Sequence, residues 1–192
     1  MTGAEPSAGG PRSRQGRLLV AAPTLMDPHF QRAVLVMLEH SGDGALGLVL
    51  NQPTAIHAVD ALPEPLCDLV PEAHLIHLGG PVQPAAVIIL AEFDTPDRAA
   101  GIVVERIGIV DPEEAVDDLA GHVGRLRIFG GYAGWGPGQL EGEIAEGAWI
   151  DVPAQPEDIF TTAPERLWSA ALERKGGAFR LVARMPEDPS LN

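Results

Sequence analysis

The chain is poor in cysteine, lysine and aromatic residues. Cys67 is the single cysteine, so no internal disulfide can form, and this fits a reducing compartment. Lysine occurs once, at Lys175, and the 13 basic residues face 27 acidic ones, for a formal net charge of −14. The basic residues are scattered and form no stripe. An acidic chain of this kind repels phosphate backbones, which disfavours unassisted DNA binding.

Long hydrophobic runs are also missing. No apolar run approaches the roughly 20 residues that a membrane-spanning helix needs. The first 15 residues are rich in Gly, Ser, Pro and Ala and lack the apolar centre of a signal peptide. We therefore expect a disordered tail over residues 1–15, one domain over residues 16–185, a flexible tail over residues 186–192, and a cytoplasmic protein without a membrane segment.

The clearest local pattern is a β-hairpin. Residues 33–40 are apolar on both alternating faces, which predicts a strand buried on both sides. A turn over residues 41–44 leads into a second strand at residues 45–51. Because the hairpin folds back antiparallel, we expect the loop containing Asp27 and Phe30 to lie beside Asn51 and Pro53.

The remaining pattern mixes strands with a few helices. Strands are predicted at residues 16–22, 73–78, 86–92, 125–129 and 149–152, and helices at residues 66–70, from Asp111 to about 121, at 138–146 and at 163–175. Residues 179–183 close the domain. This irregular succession favours an α+β fold, mainly an antiparallel sheet with flanking helices, over a regular βαβ series.

Residues 130–138 form a block of five glycines, one proline, Tyr132 and Trp135. The block lacks the third glycine of a dinucleotide fingerprint and the lysine of a P-loop. Two interpretations stay open. A glycine turn before a helix exposes N–H groups suited to an anion, or the block is a tight strand-to-helix corner. Since few neighbouring side chains could bury an indole here, we expect Trp135 to be partly exposed and Trp149 and Trp168 to be mostly buried.

The histidines do not predict a metal site. His74 and His77 are three apart on a predicted strand, where the pleat would point them to opposite faces. His40 and His57 have no partner at zinc-like spacing. We expect no metal and no cofactor.

Four segments carry a family pattern. They comprise residues 22–34 with Asp-Pro-His-Phe, residues 39–53 with Gly-Leu-Val-Leu-Asn-Gln-Pro, residues 79–82 with Gly-Gly-Pro-Val, and residues 131–149 with Gly-Tyr-Ala-Gly-Trp. In order and spacing they resemble the YqgE/AlgH family of bacterial proteins over residues 16–184, although Ala33 stands where many relatives have a small hydroxyl residue. The resemblance implies an AlgH-like α+β fold in the cytoplasm with no established cofactor or biochemical activity.

The favoured hypothesis is binding rather than chemistry, with a protein partner or a small anion seated where the motif loops converge. The candidate binding residues are Asp27, Phe30, Arg32, His40, Asn51, Pro53, Gly79, Gly80, Pro81, Tyr132, Gly134, Trp135, Gln139 and Glu143. The first alternative is a hydrolase-type enzyme that uses Glu141 or Glu143 with His40. The second is a transcriptional regulator, the label that some members of the resembled family carry, although it fits poorly with the charge of −14.

We predict that the purified protein does not bind DNA specifically at physiological salt, because the repulsion between an acidic surface and the phosphates is not offset by a basic stripe. Fluorescence anisotropy with promoter fragments and competitor DNA measures this. Sequence-dependent binding that survives the competitor would contradict the prediction.

Overall fold

The computed structural model describes residues 13–62, 67, 70, 73–111 and 121–186. The predicted helix at residues 66–70 and the one that begins after Asp111 lie largely outside the described residues. Most of the two predicted tails, residues 1–12 and 187–192, also lies outside them. The family resemblance is therefore tested on the central part of the chain.

Ten strands form the sheet system. They are β1 (Arg17–Ala21), β2 (Val34–Ser41), β3 (Gly44–Val49), β4 (Pro53–His57), β5 (Leu75–Leu78), β6 (Val82–Phe93), β7 (Gly101–Val104), β8 (Ile107–Ile109), β9 (Val123–Trp135) and β10 (Trp149–Pro153). The main strand order is β10-β1-β2-β3-β9-β6-β8-β7, with antiparallel neighbours throughout. β4 pairs with β5, and β5 joins β9 in parallel. The α+β prediction with a mainly antiparallel sheet is confirmed.

Five helices flank the strands in the described part of the chain. They are α1 (Ala58–Ala61), α2 (Gln139–Ala145), α3 (Pro156–Ile159), α4 (Pro164–Lys175) and α5 (Phe179–Val182). Among the described helices, none has the length and apolar character needed to cross a membrane.

β9 differs most from the sequence prediction. We expected a strand that ended at residue 129 and a glycine loop after it, but the strand continues through Gly134 to Trp135. Its first part pairs with β6, and its last three residues pair with β3. The extension follows from tertiary pairing, which supplies backbone partners to a segment whose glycines would otherwise favour a loop.

Alternation along β1 and β2 builds two cores. On one face, Val20 and Val36 pack with Trp168 and Leu172 of α4. On the other face, Leu35 and Met37 belong to a cluster around Trp135 and Trp149. All five residues from Val34 to Leu38 are buried, so the predicted strand covered on both sides is confirmed. The sheet therefore separates the molecule into an α4 face and an α2 face.

Two glycine segments cross at the centre of the sheet with their backbones in contact. A Cβ added at Gly79 would lie 2.2 Å from the carbonyl oxygen of Gly131, and one at Gly80 would lie 2.2 Å from the carbonyl carbon of Tyr132. The amide N–H of Gly79 donates to the Gly130 carbonyl at 2.9 Å. Only glycine permits two backbones to come this close. The segment after β5 is therefore held in direct backbone contact with β9.

We predict that Gly79→Ala destabilises the fold by about 2–3 kcal/mol or more, because the added methyl meets backbone and the Leu48 side chain rather than a flexible side-chain end. Gly42→Ala is the matched control, since a Cβ there meets nothing within 4 Å. Urea denaturation of both variants measures the difference. Equal unfolding midpoints would show that the crossing tolerates a side chain.

Candidate functional site

The loop before β2 is held in place by short hydrogen bonds. The Phe30 amide donates to the Asp27 carbonyl at 3.0 Å, and the His29 amide donates to Asp27 Oδ1 at 2.8 Å. Gln52 Nε2 donates to the His29 carbonyl at 3.0 Å. Asp27 therefore shapes the loop, and the expected proximity of this loop to the end of β3 is confirmed.

Asn51 stabilises the last turn of the same loop through two side-chain hydrogen bonds to the backbone. Its Oδ1 accepts from the Val34 amide at 2.9 Å, and its Nδ2 donates to the Arg32 carbonyl at 2.9 Å. Arg32 takes a left-handed backbone conformation, with φ of 52°. A non-glycine residue is strained in that region, and the two side-chain bonds of Asn51 hold the backbone at Arg32 and Val34, on either side of Ala33.

The strained conformation directs the Arg32 side chain onto α4. Its guanidinium carbon lies 4.4 Å from the centre of the Trp168 ring, a cation–π contact. The Trp168 indole N–H donates to the Ala21 carbonyl at 2.8 Å, so the ring itself is fixed. Arg32 Nη2 also donates to the carbonyls of Met185 and Pro186.

A cavity of about 410 Å³ opens beside this cation–π pair. Its lining combines a cation, a carboxylate, three side-chain amides, a hydroxyl and an indole: Gln31, Arg32, Asn51, Gln52, Glu165, Trp168 and Ser169. Such a set can bind a polar ligand by hydrogen bonds and charge. Sequence analysis named Arg32 and Asn51 but missed the α4 side. Local pattern carried no signal for that side, because Trp168 fits the apolar face of α4 and Glu165 and Ser169 fit its polar face.

The Trp135 side chain of the glycine block packs into an aromatic corner against α2, and the expectation of a partly exposed Trp135 is wrong, although Gly134 and residues 136–138 are exposed. Trp135 is 7% exposed, and its indole N–H donates to Glu143 Oε2 at 2.9 Å. The Trp149 indole donates to the same oxygen at 2.7 Å, and Gln139 Nε2 donates to Oε1 at 2.9 Å. α2 folds back under the end of β9, which supplies the neighbours that the composition of the loop did not show.

Phe30 belongs to this corner rather than to the cavity. Its ring centre lies 6.5 Å from that of Trp135 and 5.5 Å from that of Trp149. Phe30 therefore packs on the α2 face while Arg32 packs on the α4 face. The loop crosses the rim of the sheet between them, so the candidate residues do not share one site.

A third group of candidates lies at the glycine crossing. Gly79 and Gly80 abut Gly131 and Tyr132, and the Tyr132 ring covers Gly134 at 3.5 Å from its virtual Cβ. Pro81 follows the crossing and is exposed, and Pro53 begins β4. The structure thus divides the predicted set into the cavity, the corner and the crossing.

His40 and Glu141 meet at the end of β2. His40 Nε2 lies 2.5 Å from Glu141 Oε1, and Nδ1 accepts the Arg14 amide at 3.1 Å. The His40 side chain is 2% exposed. Hydrogen bonds from the Glu141 backbone N–H and from His40 lower the Glu141 pKa. The buried imidazole, with both ring nitrogens hydrogen-bonded, joins the N-terminal segment to α2. His40 and Glu141 therefore lie within the hydrogen-bond reach that the hydrolase alternative requires, whereas Glu143 is bonded to the two indoles, and this alternative stays a prediction.

In residues 13–62, 67, 70, 73–111 and 121–186, no three His, Cys, Asp or Glu side chains converge to hold a metal ion. His74 precedes β5 instead of lying within it, so the alternation expected to separate it from His77 does not apply.

A family model described as AlgH-like matches residues 18–180. The chain belongs to the AlgH-like family. A UPF0301 protein of Streptomyces coelicolor is 47% identical over 188 residues, covering 94% of this chain and 96% of the relative. A UPF0301 protein of Chlorobaculum tepidum is 37% identical over 189 residues, covering 93% and 96%. The resemblance stated from the sequence motifs is confirmed.

Solved structures of bacterial proteins share the fold. A crystal structure of a Corynebacterium diphtheriae protein superposes with a TM-score of 0.81 at 26% identity, covering 95% of this chain and 94% of that one. The solution structure of AlgH from Pseudomonas aeruginosa gives a TM-score of 0.67 at 29% identity, covering 94% and 98%.

For this AlgH-like chain we predict that Trp135→Ala lowers the free energy of unfolding by about 3–5 kcal/mol, as Trp149→Ala does, because each removes a buried ring from the same cluster. Trp135→Phe is the control: it keeps most of the apolar area but loses the bond to Glu143, so its loss is smaller. Urea denaturation of the three variants measures this order. A Trp135→Ala protein as stable as wild type would overturn the assignment of the corner as structural.

Proposed function

We propose that this AlgH-like protein is a binding module for a small polar ligand that carries an anionic group, seated in the cavity between the Asp27–Arg32 loop and α4. The observation that carries the proposal is Arg32. Its left-handed backbone is held by Asn51, and its guanidinium lies against Trp168 at the cavity wall. Backbone strain of this kind is concentrated at functional sites.

The composition of the wall supports a polar ligand with one negative group. Arg32 is the only cation in the described lining, while Glu165 stands in the same wall. The amides of Gln31, Asn51 and Gln52 offer both donors and acceptors. A ligand that places its anionic group at Arg32 would direct donors toward Glu165 and use the amides for selectivity.

The aromatic corner on the α2 face is less suited to bind a polar ligand than the Arg32 cavity. There, both carboxylate oxygens of Glu143 accept hydrogen bonds from neighbouring side chains of the same chain. The aromatic rings of the corner pack against one another, and the cavity of about 410 Å³ that Trp149 borders is lined mainly by apolar side chains. The cavity at Arg32 is the more polar of the two and offers its guanidinium a role beyond packing on Trp168 and donating to two backbone carbonyls.

The test replaces Arg32 by glycine. Glycine adopts φ near 52° without strain, so Arg32→Gly removes the guanidinium while it preserves the backbone. Wild-type protein is equilibrated with a bacterial small-molecule extract, and native mass spectrometry identifies the retained compounds. We expect an anionic compound on the wild type and about 10–100-fold weaker binding to the variant, since a hydrogen bond to a charged group contributes about 1.5–3 kcal/mol.

Glu105→Gly is the matched control. Glu105 is exposed, has φ of 53°, and does not line the cavity. It repeats the same backbone substitution elsewhere in the molecule, so retention of the compound should match the wild type. Equal affinity of Arg32→Gly and the wild type for that compound would refute the proposal.

A further inference from the structure

A buried arginine that pairs with no carboxylate of the described residues lies on the α4 face, outside the cavity lining. Arg127 of β9 is 9% exposed. Its Nη2 donates to the Thr161 carbonyl at 2.5 Å, while Nη1 is buried and has no hydrogen-bond partner. On the neighbouring strand β6, Arg127 is paired with Leu90, which is fully buried. A guanidinium in such surroundings bears a large desolvation cost unless an anion offsets it.

The other arginines of this region are paired in the ordinary way. Arg174 donates to both carboxylate oxygens of Asp158, and Arg125 donates to Glu92 Oε2 at 3.0 Å. Within the part of the chain that the structure describes, Arg127 makes no ion pair with any carboxylate. Burial lowers its pKa to about 10, and it remains charged at neutral pH.

His77 lies beside Arg127 on the neighbouring strand. In the parallel pairing of β5 with β9, His77 is opposite Phe129, two residues beyond Arg127 and therefore on the same face. The His77 and Phe129 ring centres are 6.0 Å apart. His77 is 8% exposed, and its Nδ1 is buried without a hydrogen-bond partner. Two unsatisfied nitrogens from two strands thus occupy one side of the sheet.

The charge environment around these nitrogens is positive. Burial and, to a smaller extent, the charge on Arg127 lower the pKa of His77 to about 4, and an interaction with the Leu75 backbone only partly offsets them. Burial and Arg127 also lower the pKa of His74, which is half-buried at the start of β5. Both pKa shifts are caused mainly by burial, and the positive charge of Arg127 adds to each of them.

We infer that Arg127 and His77 form a second binding site, which takes a tetrahedral oxyanion such as a phosphate group. Arg127 Nη1 would donate a hydrogen bond to one oxygen, and the Nδ1–H of His77 would donate to another. A tetrahedral anion presents oxygens in several directions and can serve nitrogens from two strands at once, while the guanidinium supplies the strong charge-assisted bond. The inference does not depend on the proposed ligand of the Arg32 cavity, because no residue is shared.

The experiment measures the stability of the full chain against inorganic phosphate in chloride buffer at constant ionic strength, with sulfate as a second probe. Roughly 100-fold excess over the dissociation constant should raise the melting temperature of the wild type by about 5–10 °C. Arg127→Met, which keeps an unbranched apolar stem and removes the charged guanidinium, should abolish the rise. Arg32→Gly should retain it, and this separates the two sites.

Arg127→Lys keeps the charge and serves where the methionine variant does not fold. It loses the planar fork, so its phosphate affinity should fall about 10-fold. Phosphate should also shift the His77 ring ¹⁵N resonances, identified by their absence in His77→Gln. A wild-type melting temperature indifferent to both anions, or an equal rise in Arg127→Met, would overturn the inference.

Discussion

The close approach of two glycine backbones is the constraint on which the rest of the fold depends. Because Gly79 and Gly131 come together without side chains, β5 can lie parallel to the middle of β9 while β3 takes the end of the same strand. One long strand therefore belongs to both parts of the sheet. The crossing places His77 next to Phe129, and it leaves the end of β3, with Asn51, at the rim where the Arg32 loop passes.

Satisfaction of buried polar groups separates structural clusters from candidate sites. At the corner, the Glu143 carboxylate accepts two indole N–H groups and a glutamine N–H, so the polar atoms of the cluster complete one another. At Arg127, by contrast, the buried Nη1 donates to no acceptor among the described residues. The aromatic and glycine-rich composition marked the corner as a candidate site. An external group would nevertheless gain more from binding at Arg127, where a buried nitrogen has no hydrogen-bond partner.

The Asp27–Arg32 loop links the two faces of the sheet. Phe30 closes the aromatic corner on the α2 face, and Arg32 reaches the cavity on the α4 face. Asn51 bonds the backbone on either side of Ala33, at the exit of this loop. The corner consequently supports the cavity, because packing at Phe30 limits the positions that Arg32 can take. One short loop therefore explains why Phe30 and Arg32, two motif residues close in sequence, pack on opposite faces of the sheet.

The sequence by itself determined the α+β class, the double-sided β2 strand, the hairpin and the family, since alternation, turn residues and motif spacing are local properties. It also placed Trp149 and Trp168 in the core correctly. Tertiary structure decided the burial of Trp135, the continuation of β9 through the glycines, and the meeting of Arg32 with Trp168, a residue 136 positions away along the chain. It also decided that Arg127 forms no ion pair with a carboxylate of the described residues. Composition records which groups are present, but only the packed chain settles which of them find partners.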